Sequence, residues 1–137
     1  SIVLFTEKYN QMIVITDPVK AIVAASNIQN GLAAVITTHT TTGIMVNEAL
    51  ECLESDIDEA LAQLVPEDHP YAHARILLSY GSTAGNPTGH LKSMLVGNHC
   101  LFPLVQGELV LGGAQDIYLM EFDGPAKRTI TVTVIGE

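Results

Sequence analysis

Three of the chain's five histidines fall where a site could form. His39 ends an apolar run, Leu32 to Ile36, within Thr37-Thr38-His39-Thr40-Thr41-Thr42-Gly43. His73 lies in an irregular stretch, and His90 opens a helical segment. Three imidazoles with one open coordination position are the pattern of a catalytic zinc site, so His39, His73 and His90 are candidate metal ligands. No HExxH and no close His pair sharpens that assignment. The plainer alternative for each is a histidine hydrogen-bonded within the fold. His69 and His99 read as a loop residue and a strand residue.

A second apolar run, Ile44 to Val46, leads to Asn47-Glu48. A metal-bound histidine usually passes its other ring N–H to a carboxylate or carbonyl, which makes Asn47 and Glu48 candidate partners of His39. Glu48, if burial raises its pKa, could also act as a general base. The competing reading makes the pair a cap on the next helix. Gly89-His90-Leu91-Lys92-Ser93 offers other chemistry: backbone N–H groups at a helix start, with Lys92 and Ser93, could hold a phosphate or carboxylate. Asn47, Glu48 and Lys92 are thus the candidate catalytic residues. Ser79, Ser82 and Ser93 lack a GxSxG elbow, and no GxGxxG or GK[ST] loop is present, which argues against a serine hydrolase and a dinucleotide enzyme.

The elements that must position these residues follow from periodicity. Ile2–Phe5 and Gln11–Thr16 read as strands, the second apolar on both faces. Asp17-Pro18 opens a helix that closes at Asn30-Gly31. Leu32–Thr38 is a central strand. A helix starts near Ser55, with Ile57, Leu61 and Leu64 as its stripe and Asp56, Asp58 and Glu59 in its first turn. Pro66 to Gly89 is irregular and long enough to suggest function. Thr88–Val96 is helical, and His99–Val105 turns at Gln106-Gly107 into Glu108–Leu111. Asp116–Phe122 and Arg128–Ile135 are strands flanking the turn Asp123-Gly124-Pro125. The fold class is α+β, a single domain over 1–137, with mixed or antiparallel sheets and two or three helices on one side.

A formal net charge of −9 with no basic cluster excludes nucleic acid as a natural partner. Cys52 and Cys100 read as buried or half-buried free thiols. With no leader pattern and no apolar run long enough to span a bilayer, the expectation is a soluble cytoplasmic protein without a membrane partner. Hydrophobic residues make up 47% and charged residues only 15%, so other subunits are expected to cover part of the surface.

The ordered set His39-Thr40-Thr41-Thr42-Gly43, Asn47-Glu48, Asp56-Ile57, Tyr71-Ala72-His73, Gly89-His90-Leu91-Lys92-Ser93, Gly107, Leu111-Gly112, Gln115 and Glu121-Phe122-Asp123-Gly124-Pro125 resembles the YjbQ family from Thr37 to the C-terminus. The family's assigned activity is a secondary thiamine-phosphate synthase. That resemblance implies a compact α+β fold assembled as a trimer and a metal-capable site at His39, His73 and His90. It also implies a small-molecule, phosphorylated substrate: a thiazole phosphate joined to an aminopyrimidine diphosphate, releasing diphosphate. A divalent metal, zinc before others, and Lys92 would stabilise that leaving group, with Arg75 or Arg128 contributing. Two departures stand out. The family's Gly-Thr-Trp-Gln is Gly112-Gly113-Ala114-Gln115 here, and the acid that often follows its Tyr-x-His is Ala74. The alternatives are a metal-dependent hydrolase with Glu48 as base, and a non-catalytic oligomeric metabolite-binding protein.

Overall fold

The computed structural model describes residues 1–72 and 86–137. Its strands are β1 (Ile2–Phe5), β2 (Gln11–Val14), β3 (Gly31–Thr37), β4 (Thr42–Asn47), β5 (His99–Val105), β6 (Glu108–Leu109), β7 (Asp116–Glu121) and β8 (Lys127–Gly136). Its helices are α1 (Thr16–Ala25), α2 (Glu51–Leu64) and α3 (Pro87–Val96). The strands form a five-stranded sheet, β1-β8-β3-β5-β6, and a three-stranded sheet, β2-β7-β4. Every pairing among them is antiparallel.

The period-two pattern of β8 explains the layering. Ile130, Val132 and Val134 pair with Thr37, Val35 and Ala33 of β3, and this face points inward. Ile44, Ile117 and Leu119 of the smaller sheet meet it, and Val19 and Val23 of α1 close the side of the same core. The opposite face of the smaller sheet, Tyr118 and Met120, is covered by Ile57 and Leu61 of α2. Gln11–Val14 is covered on both sides as its composition suggests: Ile13 joins the first cluster and Met12 the second. The helices therefore do not share one side. α1 borders the space between the sheets, and α2 lies outside the smaller one.

Several boundaries differ from the sequence reading, for local reasons. α2 begins at Glu51, four residues before Ser55, because Leu53 extends the stripe of Ile57 and Leu61 by one turn. Glu51 and Glu54, rather than Asp56 and Asp58, therefore occupy its first turn. α1 begins at Thr16, with Ile15 at the cap position, and Asp17 makes no capping bond. Cys52 is exposed, against expectation, whereas Cys100 is half-buried and burial pushes its thiol pKa up to about 11.

α3 is fixed at both ends. The Asn86 side chain accepts the Gly89 N–H at 3.0 Å, and Pro87 stands in the first turn, where its missing N–H costs nothing. Gly97 ends the helix at φ 91°, a conformation that favours glycine. Its carbonyl then accepts the Ile44 N–H at 3.0 Å, tying α3 to β4.

Candidate functional site

Between β3 and β4 the chain turns through Thr38-His39-Thr40-Thr41. The base of the turn is fastened by a 2.7 Å hydrogen bond between the Thr37 and Thr42 hydroxyls. Pairing of β3 with β8 stops at Thr37 and Ile130. One residue further along β8, the Thr129 N–H has no strand acceptor on the β3 side, and it donates instead to His39 Nε2 at 3.0 Å. The imidazole thus stands in for a backbone carbonyl. Burial, then the nearby Arg128 guanidinium, lower the His39 pKa, only partly opposed by Glu121, so the ring is neutral near pH 7.

Beneath this turn lies a charge cluster that sequence reasoning missed. Arg128 is buried and donates from Nε to Glu121 Oε1 at 2.8 Å and from Nη2 to Glu121 Oε2 at 2.6 Å. Nη2 also donates to Thr41 Oγ1 at 3.0 Å, which anchors the turn. Glu121, fully buried, accepts further bonds from the Thr6 hydroxyl and from the Phe122 and Asp123 N–H groups. Burial alone would raise its pKa, but the bonds from Arg128, Thr6 and Asp123 hold it below the usual value. Arg128 is therefore a structural cation and not a substrate clamp. The signal was present: Arg128 shares its strand parity with Ile130 and Val132, which places it on the inward face.

The opposite wall is α3. His90, Ser93, Met94, Gly97 and Asn98 line, with Thr38, His39 and Thr40, a groove of about 490 Å³. The structure thus brings together two of the three predicted metal ligands. His73 lies outside the described residues, as do Ala74, Arg75, Ser79 and Ser82. Lys92, half a turn around α3 from His90, does not line the groove. It is 3% exposed, with its ammonium 5.9 Å from the centre of the Phe122 ring. The phosphate cradle expected at Gly89–Ser93 is filled by the protein's own groups: Asn86 takes the Gly89 N–H, and the Ser93 hydroxyl donates to the Thr42 carbonyl.

Asn47 and Glu48 are not partners of His39 within the chain. They lie at the far end of β4, where Asn47 pairs with Asp116 while Thr42 pairs with Glu121. At about 3.4 Å per residue that strand carries them roughly 17 Å away from the turn. Glu48 is exposed, and the Asn47 side chain accepts its N–H at 2.9 Å. Ala114, where the resemblance expects Trp, is exposed in a turn closed by the Gly112 N–H donating to Gln115 Oε1 at 2.8 Å.

A three-histidine metal centre needs a free lone pair on each ring. Neutral imidazole has one, and in His39 it already accepts the Thr129 N–H. His39 as placed does not fit that ligand set. Among the described residues no group of three His, Cys, Asp or Glu side chains is arranged to hold a metal ion.

A family model described as UPF0047 protein YjbQ-like matches residues 1–137. A UPF0047 protein of Archaeoglobus fulgidus is 38% identical over 132 residues, covering 96% of this chain and 97% of its own. A UPF0047 protein of Methanothermobacter thermautotrophicus is 35% identical over 134 residues, covering 98% and 89%. The fold is similar to that of a hypothetical protein of Aeropyrum pernix, with a TM-score of 0.90 at 32% identity over 99% of this chain and 96% of the other.

Proposed function

We propose, for a chain that belongs to the YjbQ-like UPF0047 family, an enzyme that binds a small phosphorylated molecule in the groove between Thr38–Thr40 and α3. The observation that carries this reading is that His39 and His90, from separate elements, line one groove beside the hydroxyl-bearing Thr38 and Thr40. Such a lining offers hydrogen-bond donors to oxyanions and, in His90, an imidazole for the proposed chemistry. The reaction proposed is the one the resemblance suggests: a thiazole phosphate joined to an aminopyrimidine diphosphate, with diphosphate departing. The accompanying divalent metal, zinc in first place, belongs to the same proposal, with His90 and His73 as its histidine ligands.

The test is direct. The full chain is incubated with the two precursors, and thiamine phosphate is followed by mass spectrometry, beside His90→Ala with its fold checked by circular dichroism. Product formation lost in the variant supports the enzyme. Precursor binding without turnover replaces it with a metabolite-binding protein.

A homotrimer is part of the proposal. Among the described residues, the outer face of the five-stranded sheet carries Val3, Phe5, Leu32, Leu101, Val105 and Ile135, with exposures from 45% at Leu32 to 73% at Phe5. Exposed apolar residues gathered on one sheet face mark an interaction surface. Second and third copies of the chain are the occupants proposed here. No helix among the described residues is long and apolar enough to cross a membrane.

A further inference from the structure

A neutral imidazole carries its proton on one nitrogen and its lone pair on the other. At His39 the lone pair sits on Nε2, where it accepts the Thr129 N–H at 3.0 Å, so the proton sits on Nδ1. The sheet enforces this arrangement. Thr129 lies between the buried Arg128 and the buried Ile130, just beyond the last pairing of β8 with β3, and its N–H would otherwise lack an acceptor. The turn that carries His39 is held on both sides, by Thr37 Oγ1 accepting the His39 N–H and by Arg128 Nη2 donating to Thr41.

We infer that His39 acts as a hydrogen-bond donor to a phosphate or diphosphate oxygen in the groove, through Nδ1–H, and that a metal ion bound by this chain is held without it. The inference rests on the reading of the groove as the substrate site. Coordination through Nδ1 would move the proton to Nε2, which would then face the Thr129 N–H donor to donor. Coordination through Nε2 would strip Thr129 of its acceptor. An oxyanion requires neither change: it takes the Nδ1 proton as a hydrogen bond and leaves the Thr129 bond in place. Thr38 and Thr40, which line the same groove, carry hydroxyls, donors of the kind a multi-oxygen anion uses. His39 would then orient the ligand, a task distinct from proton transfer or metal binding.

The experiment reads the tautomer directly. Long-range ¹H–¹⁵N correlation spectra of the ¹⁵N-labelled full chain are recorded alone, with zinc chloride and with sodium pyrophosphate, and His39 is assigned by its loss in His39→Gln. The expected result is an Nδ1-protonated, Nε2-unprotonated His39 whose ring signals and Thr129 amide do not move with zinc. An Nε2-protonated ring overturns the inference, as does a zinc-induced shift of either His39 nitrogen together with the Thr129 amide. Pyrophosphate is expected to shift the His39 Nδ1–H. Shifts at His90, Gly97 and Asn98 without one at His39 overturn the donor role and leave the proposed function standing. No shift anywhere along the groove overturns the phosphorylated-substrate reading, and with it phosphate as the partner of Nδ1.

Discussion

The Arg128–Glu121 pair shows how much a single residue decides in this fold. Both partners are buried, and each satisfies the other in bidentate geometry. Arg128→Met would leave the Glu121 carboxylate without its counter-charge and release Thr41. Removing one partner of a buried pair costs about 3–5 kcal/mol, and urea denaturation should show a loss of that size. A loss near zero would mean that Thr6 and the two backbone N–H groups suffice. His39 supplies a second residue-scale test, through pH. Its folded pKa lies below the unfolded value of 6.5, so its stabilising bond to Thr129 is fully present above 6.5 and is lost as pH falls through the folded value. The Arg128 and Glu121 charges act on it with opposite signs, the first lowering and the second raising its pKa. In His39→Gln the amide oxygen can accept the Thr129 N–H at any pH. The variant should therefore gain on wild type as urea midpoints are followed from about pH 7.5 down to about pH 5.5. Parallel profiles would show that the ring does not hold that N–H. Glu121, also lowered, shifts both proteins alike at more acidic pH, because its contribution is lost as pH falls from the unfolded value of 4.5 through the folded one.

At the scale of elements, the groove depends on how closely α3 lies against β4. A Cβ added at Gly43 would sit 2.7 Å from Val96 Cγ1, 2.9 Å from Val96 Cβ and 3.1 Å from the Gly97 carbonyl oxygen. Gly43→Ala should push α3 outward and destabilise by about 1–3 kcal/mol, as overpacking does. Adding Val96→Ala removes the obstructing methyl groups and should recover part of that loss; a strictly additive double mutant would place the strain elsewhere. Elements of this kind were legible in the sequence wherever a period or a breaker marked them: the alternation of β8, the turn at Gln106-Gly107, and α3, expected over Thr88–Val96 and found over Pro87–Val96. Relations between elements were not. Asn47 and Glu48 looked adjacent to His39 because both flank one strand, and only the pairing with β7 shows that a strand separates its two ends. The helix-start cradle at Gly89–Ser93 was misread because Asn86, three residues before Gly89, fills it. The Thr129 N–H that donates to His39 lies 90 residues away in sequence, joined to it only by the register of β3 and β8.

For the whole molecule, the proposed assembly turns on the outer face of the five-stranded sheet. Leu101 pairs with Ala34, and Leu32 pairs with both Pro103 and Ile135, so these apolar residues form one continuous surface across three strands. Ile36 has the same parity as Leu32 and Ala34 and also lines the groove, so the sheet face runs up to the rim of the candidate site. A copy of the chain seated on this face would bury its apolar residues and border the groove at once. Leu101→Glu combined with Ile135→Lys would bury a charge of each sign without designed partners, a cost association could not offset. If the proposed trimer forms through this face, sedimentation velocity should show three-chain particles for the wild type and one-chain particles for the double variant, with circular dichroism unchanged because neither side chain belongs to the core. The proposed activity on thiamine precursors should fall in parallel, since the rim at Ile36 would lose its neighbour. Trimers that persist in the double variant would move the interface to another surface. Monomers that keep full turnover would confine the site to a single chain.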